Sequence, residues 1–287
     1  MVQGSCFCGA VRYEVTGPFR DMTSCHCSMC RKHHGSAFAT YVSAPLGGFR
    51  WLAESERSLL RYASSARRQR TSCGRCGSPV PEVLPEETLV QLPAGPLEGE
   101  LGVRPEAHIF VGSKAPWYTI GDGAPQFAEY PPGRGSPVVE RTRKPSRPGV
   151  TEGSCLCGAV AYEARGAALF MQNCHCQRCR RARGAAHASN IFYAMDQFRW
   201  QQGEERLREY KLPEARFHTT SFCADCAGGA PRISRERALV VIPAGSLDTD
   251  PPLTPQRHIF TDYKASWFDI TDELPQFAEG PAAVPAR

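Results

Sequence analysis

The sequence predicts a mainly β protein made of two tandem zinc-stapled units joined by a Pro/Gly/Arg-rich linker. Three observations lead there. The 26 glycines and 24 prolines in 287 residues favour strands and turns over long helices. The apolar stretches are short and several alternate with polar residues, the period of a strand. Fourteen cysteines fall into the same three clusters twice.

The duplication fixes the order of parts. Gly4-Ser-Cys-Phe-Cys-Gly-Ala-Val-Arg-Tyr-Glu14 recurs as Gly153-Ser-Cys-Leu-Cys-Gly-Ala-Val-Ala-Tyr-Glu163. Cys25, Cys27 and Cys30 recur as Cys174, Cys176 and Cys179, and Cys73 and Cys76 as Cys223 and Cys226. His108-Ile-Phe, Lys114-Ala-Pro-Trp117 and Pro125-Gln-Phe-Ala-Glu129 return near His258, Lys264 and Pro275. The expected domains are residues 1–129 and 151–280, with a linker at 130–150 and a tail at 281–287. Within each unit, Ala10–Val15, Ala37–Val42, Leu89–Leu92 and Ala238–Ile242 read as strands, the last two ending at Pro-Ala-Gly turns. Helix is expected only as short turns, one of them after Cys30.

Composition excludes several classes. With 41% apolar and 22% charged residues, each half can bury a core. No apolar run approaches the ~18 residues of a membrane span, and the N-terminus has no basic or apolar leader pattern, so a cytoplasmic location is the expectation. The net charge of +5 is concentrated in the linker, where Arg134, Arg141, Arg143, Lys144 and Arg147 face only Glu140. A nucleic-acid face on a folded unit is therefore not indicated. Seven cysteines per repeat cannot all pair as disulfides, and with no secretion signal they point to metal.

In Cys6-Phe-Cys8 an extended chain turns both sulfurs to one face. Cys73-Gly-Arg-Cys76 has the tight spacing of a zinc knuckle. Joined, Cys6, Cys8, Cys73 and Cys76 make a closed four-thiolate site, matched by Cys155, Cys157, Cys223 and Cys226. Cys25, Cys27 and Cys30, like Cys174, Cys176 and Cys179, then hold a metal by three thiolates, leaving the fourth position for water or substrate. That arrangement can bind an incoming thiol and present it to an electrophilic carbon, or stabilise a thiolate leaving group. Zinc is expected at two ions per domain, four per chain. The spacing also admits a wholly structural cluster completed by His26, His33 or a distant residue. His26 and His175 lie between ligands, so an extended chain points them away from the metal.

His108, His258, Lys114 and Lys264 are candidate substrate contacts or proton carriers near the open position. Their blander reading is an imidazole packed under the sheet and a solvated lysine. Trp117 and Trp267 suit a core or a pocket wall. Arg31, Lys32, Arg180 and Arg181 can attract an anionic thiol, or simply form a solvated face.

Gly-x-Cys-x-Cys-Gly-x-Val-x-Tyr, Cys-His-Cys-x-x-Cys-Arg, Cys-x-x-Cys, His-Ile and Lys-x-x-Trp together resemble the glutathione-dependent formaldehyde-activating enzyme family, also named for the centromere protein V. The resemblance covers nearly all of both repeats. It implies a zinc-stapled β-tent in each, with the outer Cys-x-Cys and the later Cys-x-x-Cys structural and the Cys-x-Cys-x-x-Cys catalytic. It further implies carbon–sulfur bond formation or cleavage on a small thiol such as glutathione and an aldehyde. The chain departs from the simple pattern by its fusion. Around the second trio, Arg31-Lys-His-His34 becomes Arg180-Arg-Ala-Arg183 and Phe38 becomes His187, so the repeats are expected to differ in substrate contacts. Fusion favours a monomer holding an intramolecular pseudo-dimer, which is the expectation here. The alternatives are a non-catalytic zinc-stabilised module that binds protein or nucleic acid and, less favoured, a redox sensor.

Overall fold

The computed structural model describes residues 1–66, 68–133 and 144–280. The expected tail 281–287 lies outside the described residues, as do Arg134, Glu140, Arg141 and Arg143 of the linker. Repeat 1 runs β1 (Val2–Ser5), β2 (Arg12–Val15), β3 (Arg20–Cys25), α1 (Ser28–His34), β4 (Ala39–Pro45) and β5 (Phe49–Leu52). It continues with β6 (Leu59–Ser65), β7 (Arg68–Cys73), β8 (Glu82–Leu84), β9 (Leu89–Pro93), β10 (Leu97–Glu98) and β11 (Ala107–Ile109). Repeat 2 runs β12 (Val150–Ser154), β13 (Ala161–Arg165), β14 (Phe170–Cys174), α2 (Gln177–Arg183), β15 (Ala188–Ala194) and β16 (Phe198–Gln202). It ends with β17 (Leu207–Lys211), β18 (Thr219–Cys223), β19 (Arg232–Ser234), β20 (Leu239–Pro243), β21 (His258–Ile259) and β22 (Gln276–Phe277).

Each repeat contains two sheets and a hairpin. In repeat 1 the sheets are ordered β10-β1-β2-β5 and β11-β3-β4-β9-β8, with β6-β7 apart. In repeat 2 they are β12-β13-β16 and β19-β20-β15-β14-β21-β22, with β17-β18 apart. The late strand lies parallel to the strand carrying the first ligand of the trio: His108 pairs with Ser24, and His258 with Asn173. The first motif has a packing reason. Gly4 faces Tyr13 across β1–β2, and a Cβ on Gly4 would stand 2.4 Å from that ring. Gly153 and Tyr162 repeat the arrangement.

The helices begin earlier than expected, at Ser28 rather than after Cys30, because Cys27 itself is the N-cap. Each stops after seven residues at a left-handed glycine, Gly35 or Gly184. β4 also departs from simple alternation, since six of its seven residues are buried on both faces. The partner repeat supplies the second cover. A single apolar cluster runs through both repeats, including Tyr13, Val42 and Leu92 with Tyr162, Ile191 and Ile242. The halves thus share one core instead of burying one each.

The two repeats exchange helices across this core. Lys32 of α1 enters repeat 2, where its Nζ meets Asp248 Oδ1 at 2.6 Å and donates to Ser154 O and Oγ at 2.8 Å. Reciprocally, Arg181 of α2 pairs with Glu98 and Arg180 donates to Gly95 O at 3.1 Å. The Pro-Ala-Gly turns receive the helix exits. A Cβ on Gly95 would lie 2.3 Å from Ala185 O, and one on Gly245 2.2 Å from Arg31 O. Lys32 and Arg181, read from sequence as possible attractors of substrate, therefore belong to the interface between repeats.

Candidate metal centres

The four-thiol sets assemble as the spacing requires. Cys6 and Cys8 come from the loop after β1, and Cys73 and Cys76 from the end of β7 and the turn beyond it. Their ligand atoms lie within 4.8 Å of one another, as do those of Cys155, Cys157, Cys223 and Cys226. Cys6–Cys8 and Cys8–Cys73 sulfurs are 3.5 and 3.7 Å apart, and Cys155–Cys157 and Cys157–Cys223 are 3.4 and 3.8 Å. A tetrahedron with zinc–sulfur bonds of 2.3 Å has edges of about 3.8 Å, while a disulfide would bring sulfurs to about 2.0 Å. The donor set fits zinc. All fourteen cysteines are free thiols.

Cys25, Cys27 and Cys30 form a trio of the same tightness, and so do Cys174, Cys176 and Cys179; neither trio gains a fourth His, Cys, Asp or Glu among the described residues. The backbone explains the geometry. The first cysteine ends β3 or β14, the second caps the helix and accepts the third's amide hydrogen, at 3.3 Å in repeat 1 and 3.4 Å in repeat 2. Three thiols this close cannot all ionise unaided. Cys25 is pushed well up by its hydrogen bonds to Cys27 and Cys30, whereas Cys30 is held well down by the same kind of bond. In repeat 2, Cys179 is pushed well up by Cys174 and Cys176, and Cys176 falls to about 2 through bonds from Cys174 and Cys179. A divalent cation would remove this conflict, so these sets fit a metal as well.

The first trio is enclosed. Its cysteines are 6%, 4% and 3% exposed, packed with Tyr41, Ile109, Phe110, Phe127 and Tyr130. Arg70 of β7 donates to Cys30 Sγ at 3.5 Å and to Tyr41 Oη at 3.0 Å. Tyr41 Oη is 2.7 Å from His34 Nε2, whose Nδ1 donates to Arg183 O at 2.7 Å. That last bond leaves Nε2 to accept from the tyrosine. Burial lowers His34 to about 4, in keeping with a neutral ring.

The second trio is more open, with Cys176 and Cys179 only partly buried. Thr220 replaces Arg70, Asn190 replaces Tyr41, Arg183 replaces His34, and Gly280 stands where Tyr130 covers the first trio. Arg183 and Arg232 both lie within electrostatic reach of Cys179, and His218 within reach of Cys176. These surroundings come from elements distant in sequence, and only the Arg183 and His187 changes were visible beside the motif.

The remaining candidates sit elsewhere in each repeat. His26 Nε2 and His108 Nδ1 share a 2.9 Å hydrogen bond, and His108 Nε2 reaches Asp122 at 3.0 Å. His175, His258 and Asp272 repeat this at 2.8 and 3.0 Å. His26 thus points away from the thiols, and burial, then His108, lowers it to about 3. His33 bonds Ser72 Oγ at 2.9 Å. Asp122 and Asp272 were missed; their recurrence at the repeat spacing was the available signal. Lys114 donates to Tyr118 O, and Lys264 to Phe268 O at 3.0 Å, each closing its own turn. His108 and Tyr118 also line a cavity of about 320 Å³ between the repeats, with Arg104, Trp267 and Phe268.

A family model described as glutathione-dependent formaldehyde-activating enzyme matches residues 1–113 and 150–263. The chain belongs to that family. It carries the family's unit twice, each copy with a four-thiol and a three-thiol set. No curated protein matches the chain. Among solved structures, a crystal structure of a Rhodobacter sphaeroides protein is 27% identical, covering 34% of this chain and 89% of that one with a TM-score of 0.28. The family label implies glutathione and formaldehyde as the chemistry of its members, and the described residues contain no helix long and apolar enough to cross a membrane.

Proposed function

We propose that the chain is a zinc-dependent carbon–sulfur lyase or synthase, joining a small thiol of the glutathione type to an aldehyde or releasing it from the adduct. The observation that carries this reading is a trio of thiols, built twice on a strand end and a helix cap, with no fourth protein ligand grouped with it among the described residues. The same reading takes Cys6, Cys8, Cys73 and Cys76, with Cys155, Cys157, Cys223 and Cys226, as structural ligands. It divides the chain into β-tent domains at 1–129 and 151–280, packed as a pseudo-dimer within a monomer.

When bound at a trio, zinc would favour the thiolate form of the incoming thiol and polarise the aldehyde oxygen. The protein's part is positional. The capped helix fixes two of the three ligands, and in repeat 1 Arg70 adds a cationic donor to Cys30. In the synthetic direction the thiol loses its proton, sulfur bonds the carbonyl carbon, and the carbonyl oxygen takes up a proton. No electron is exchanged with another reagent.

Zinc analysis and turnover test this together. Four zincs per chain are expected on the four-site count, with Cys27→Ser and Cys176→Ser each losing one. Formation of the thiol–formaldehyde adduct, followed by NMR, should fall in the variant whose site does the work. A count near two that Cys27→Ser leaves unchanged would rule the reading out.

A further inference from the structure

Each helix serves two thiol sets at once, the trio of its own repeat and the four-thiol set of the other. α1 is capped by Cys27 and carries Cys30, two members of the first trio. Its remaining contacts cross into repeat 2. Met29 packs on the cluster that contains Cys155, Cys223 and Cys226. Lys32 Nζ donates at 2.8 Å to O and Oγ of Ser154, the residue just before Cys155, and meets Asp248 at 2.6 Å. Lys32 O accepts from Gly229 N at 3.3 Å, three residues beyond Cys226.

α2 does the same in the opposite direction. It is capped by Cys176 and carries Cys179. Ala182 packs with Cys6, Cys73 and Cys76 of repeat 1. Arg181 pairs with Glu98, which lies opposite Gln3 on the strand leading to Cys6. A Cβ on Gly184 would stand 3.0 Å from Pro79 Cβ, three residues beyond Cys76. Seven residues are well short of the ~12–15 at which a helix begins to hold itself. Each of these helices is therefore held by its neighbours, one end by a trio and the other by the partner repeat. A ligand that fixes one end lowers the cost of ordering the other, and by linkage the effect is mutual.

From these contacts we infer that the metal sites work as crossed pairs: α1 couples the first trio to Cys155, Cys157, Cys223 and Cys226, and α2 couples the second trio to Cys6, Cys8, Cys73 and Cys76. Zinc at either member of a pair tightens binding at the other. Lys32 and Arg181 are then positioning residues for four-thiol sets that they do not ligate. The crossed coupling rests on the four-zinc part of the reading above and is independent of the reaction. α1 also reaches its own hairpin, where His33 Nε2 lies 2.9 Å from Ser72 Oγ. The four-thiol set of repeat 1 should therefore respond to the first trio too, but less than that of repeat 2.

The test equilibrates the full-length protein in a series of zinc–chelator buffers. Native mass spectrometry counts the zincs, and a pulse of iodoacetamide followed by peptide mass spectrometry shows which cysteines are unprotected. Cys27→Ser removes a trio ligand yet keeps an oxygen that can cap α1. It should raise the free zinc needed to half-fill the four-thiol set of repeat 2 about tenfold, and that of repeat 1 by less. Cys176→Ser should show the reverse order. Lys32→Met combined with Asp248→Asn removes both charges, so neither is stranded. That pair should weaken the repeat 2 set by itself and leave Cys27→Ser little further effect there. Equal weakening of both four-thiol sets by each cysteine variant, or none, overturns the crossed coupling while four zincs per chain still stand. A wild-type count near two removes zinc from the trios, and with it both the coupling and the proposed reaction.

Discussion

The two three-thiol clusters share ligand spacing, helix cap and strand register, yet one is enclosed and the other partly open. The first lies under Tyr130 and Phe110 and is held by the Arg70–Tyr41–His34 chain. The second has Thr220, Asn190 and Arg183 in those places and no aromatic in place of Tyr130. Ligand geometry is a local property, set by a few residues around one strand end and one helical turn. Access and charge are non-local, set by a hairpin and an edge strand that arrive much later in the chain. Duplication can therefore retain a cluster of thiols while its surroundings diverge.

The largest difference expected is in access. In limited alkylation followed by peptide mass spectrometry, Cys176 and Cys179 should be modified well before Cys25, Cys27 and Cys30. Tyr130→Gly, which gives the first site the residue of the second, should narrow that gap. Equal rates in the wild type would remove the contrast between an enclosed and an open site.

The interface offers a second comparison. Lys32 and Asp248 are 5% and 14% exposed, whereas Arg181 and Glu98 are 27% and 45% exposed. Lys32→Ala leaves a carboxylate without its partner and should cost about 3–5 kcal/mol in denaturant unfolding. Arg181→Ala should cost about 1 kcal/mol or less. Lys32→Met, which fills the space but also strands Asp248, separates lost packing from lost charge.

Acid sensitivity should draw on different histidines in the two repeats, His33 and His34 in the first and His187 in the second, all lowered by burial. His187, where repeat 1 has Phe38, is pushed down to about 3 by burial, then by His258. The unfolded ring takes a proton below its ordinary value near 6.5 while the folded ring stays neutral, so stability falls as pH drops from 6.5 toward about 3. His187→Phe should make that part of the pH profile of unfolding shallower, the other lowered histidines keeping the rest of the slope, and an unchanged profile would contradict the assignment. A smaller effect is expected at the turns that receive the helices. Gly245→Ala pushes a methyl against the Arg31 carbonyl and should destabilise by about 1–3 kcal/mol.

The thiol sets were legible because the same spacing occurs twice and limits which thiols can meet. Cys6 and Cys8 meet in a turn after β1, where an extended chain was expected, and Cys73 and Cys76 meet at a knuckle. The short helices were legible too, although Cys27 as a cap moved their start. Lys32 was not: its role depends on Asp248 in the other repeat, and no local pattern separates a buried basic residue from a solvated one. The pairing of His26 with His108, and of His108 with Asp122, was hidden for the same reason.

A structure of the zinc-loaded protein with bound glutathione tests the unequal roles of the two clusters most directly. Glutathione sulfur beside the more exposed Cys174, Cys176 and Cys179, with none of the ligand at the enclosed Cys25, Cys27 and Cys30, is the predicted result. Glutathione bound at the first cluster in preference to the second would contradict it.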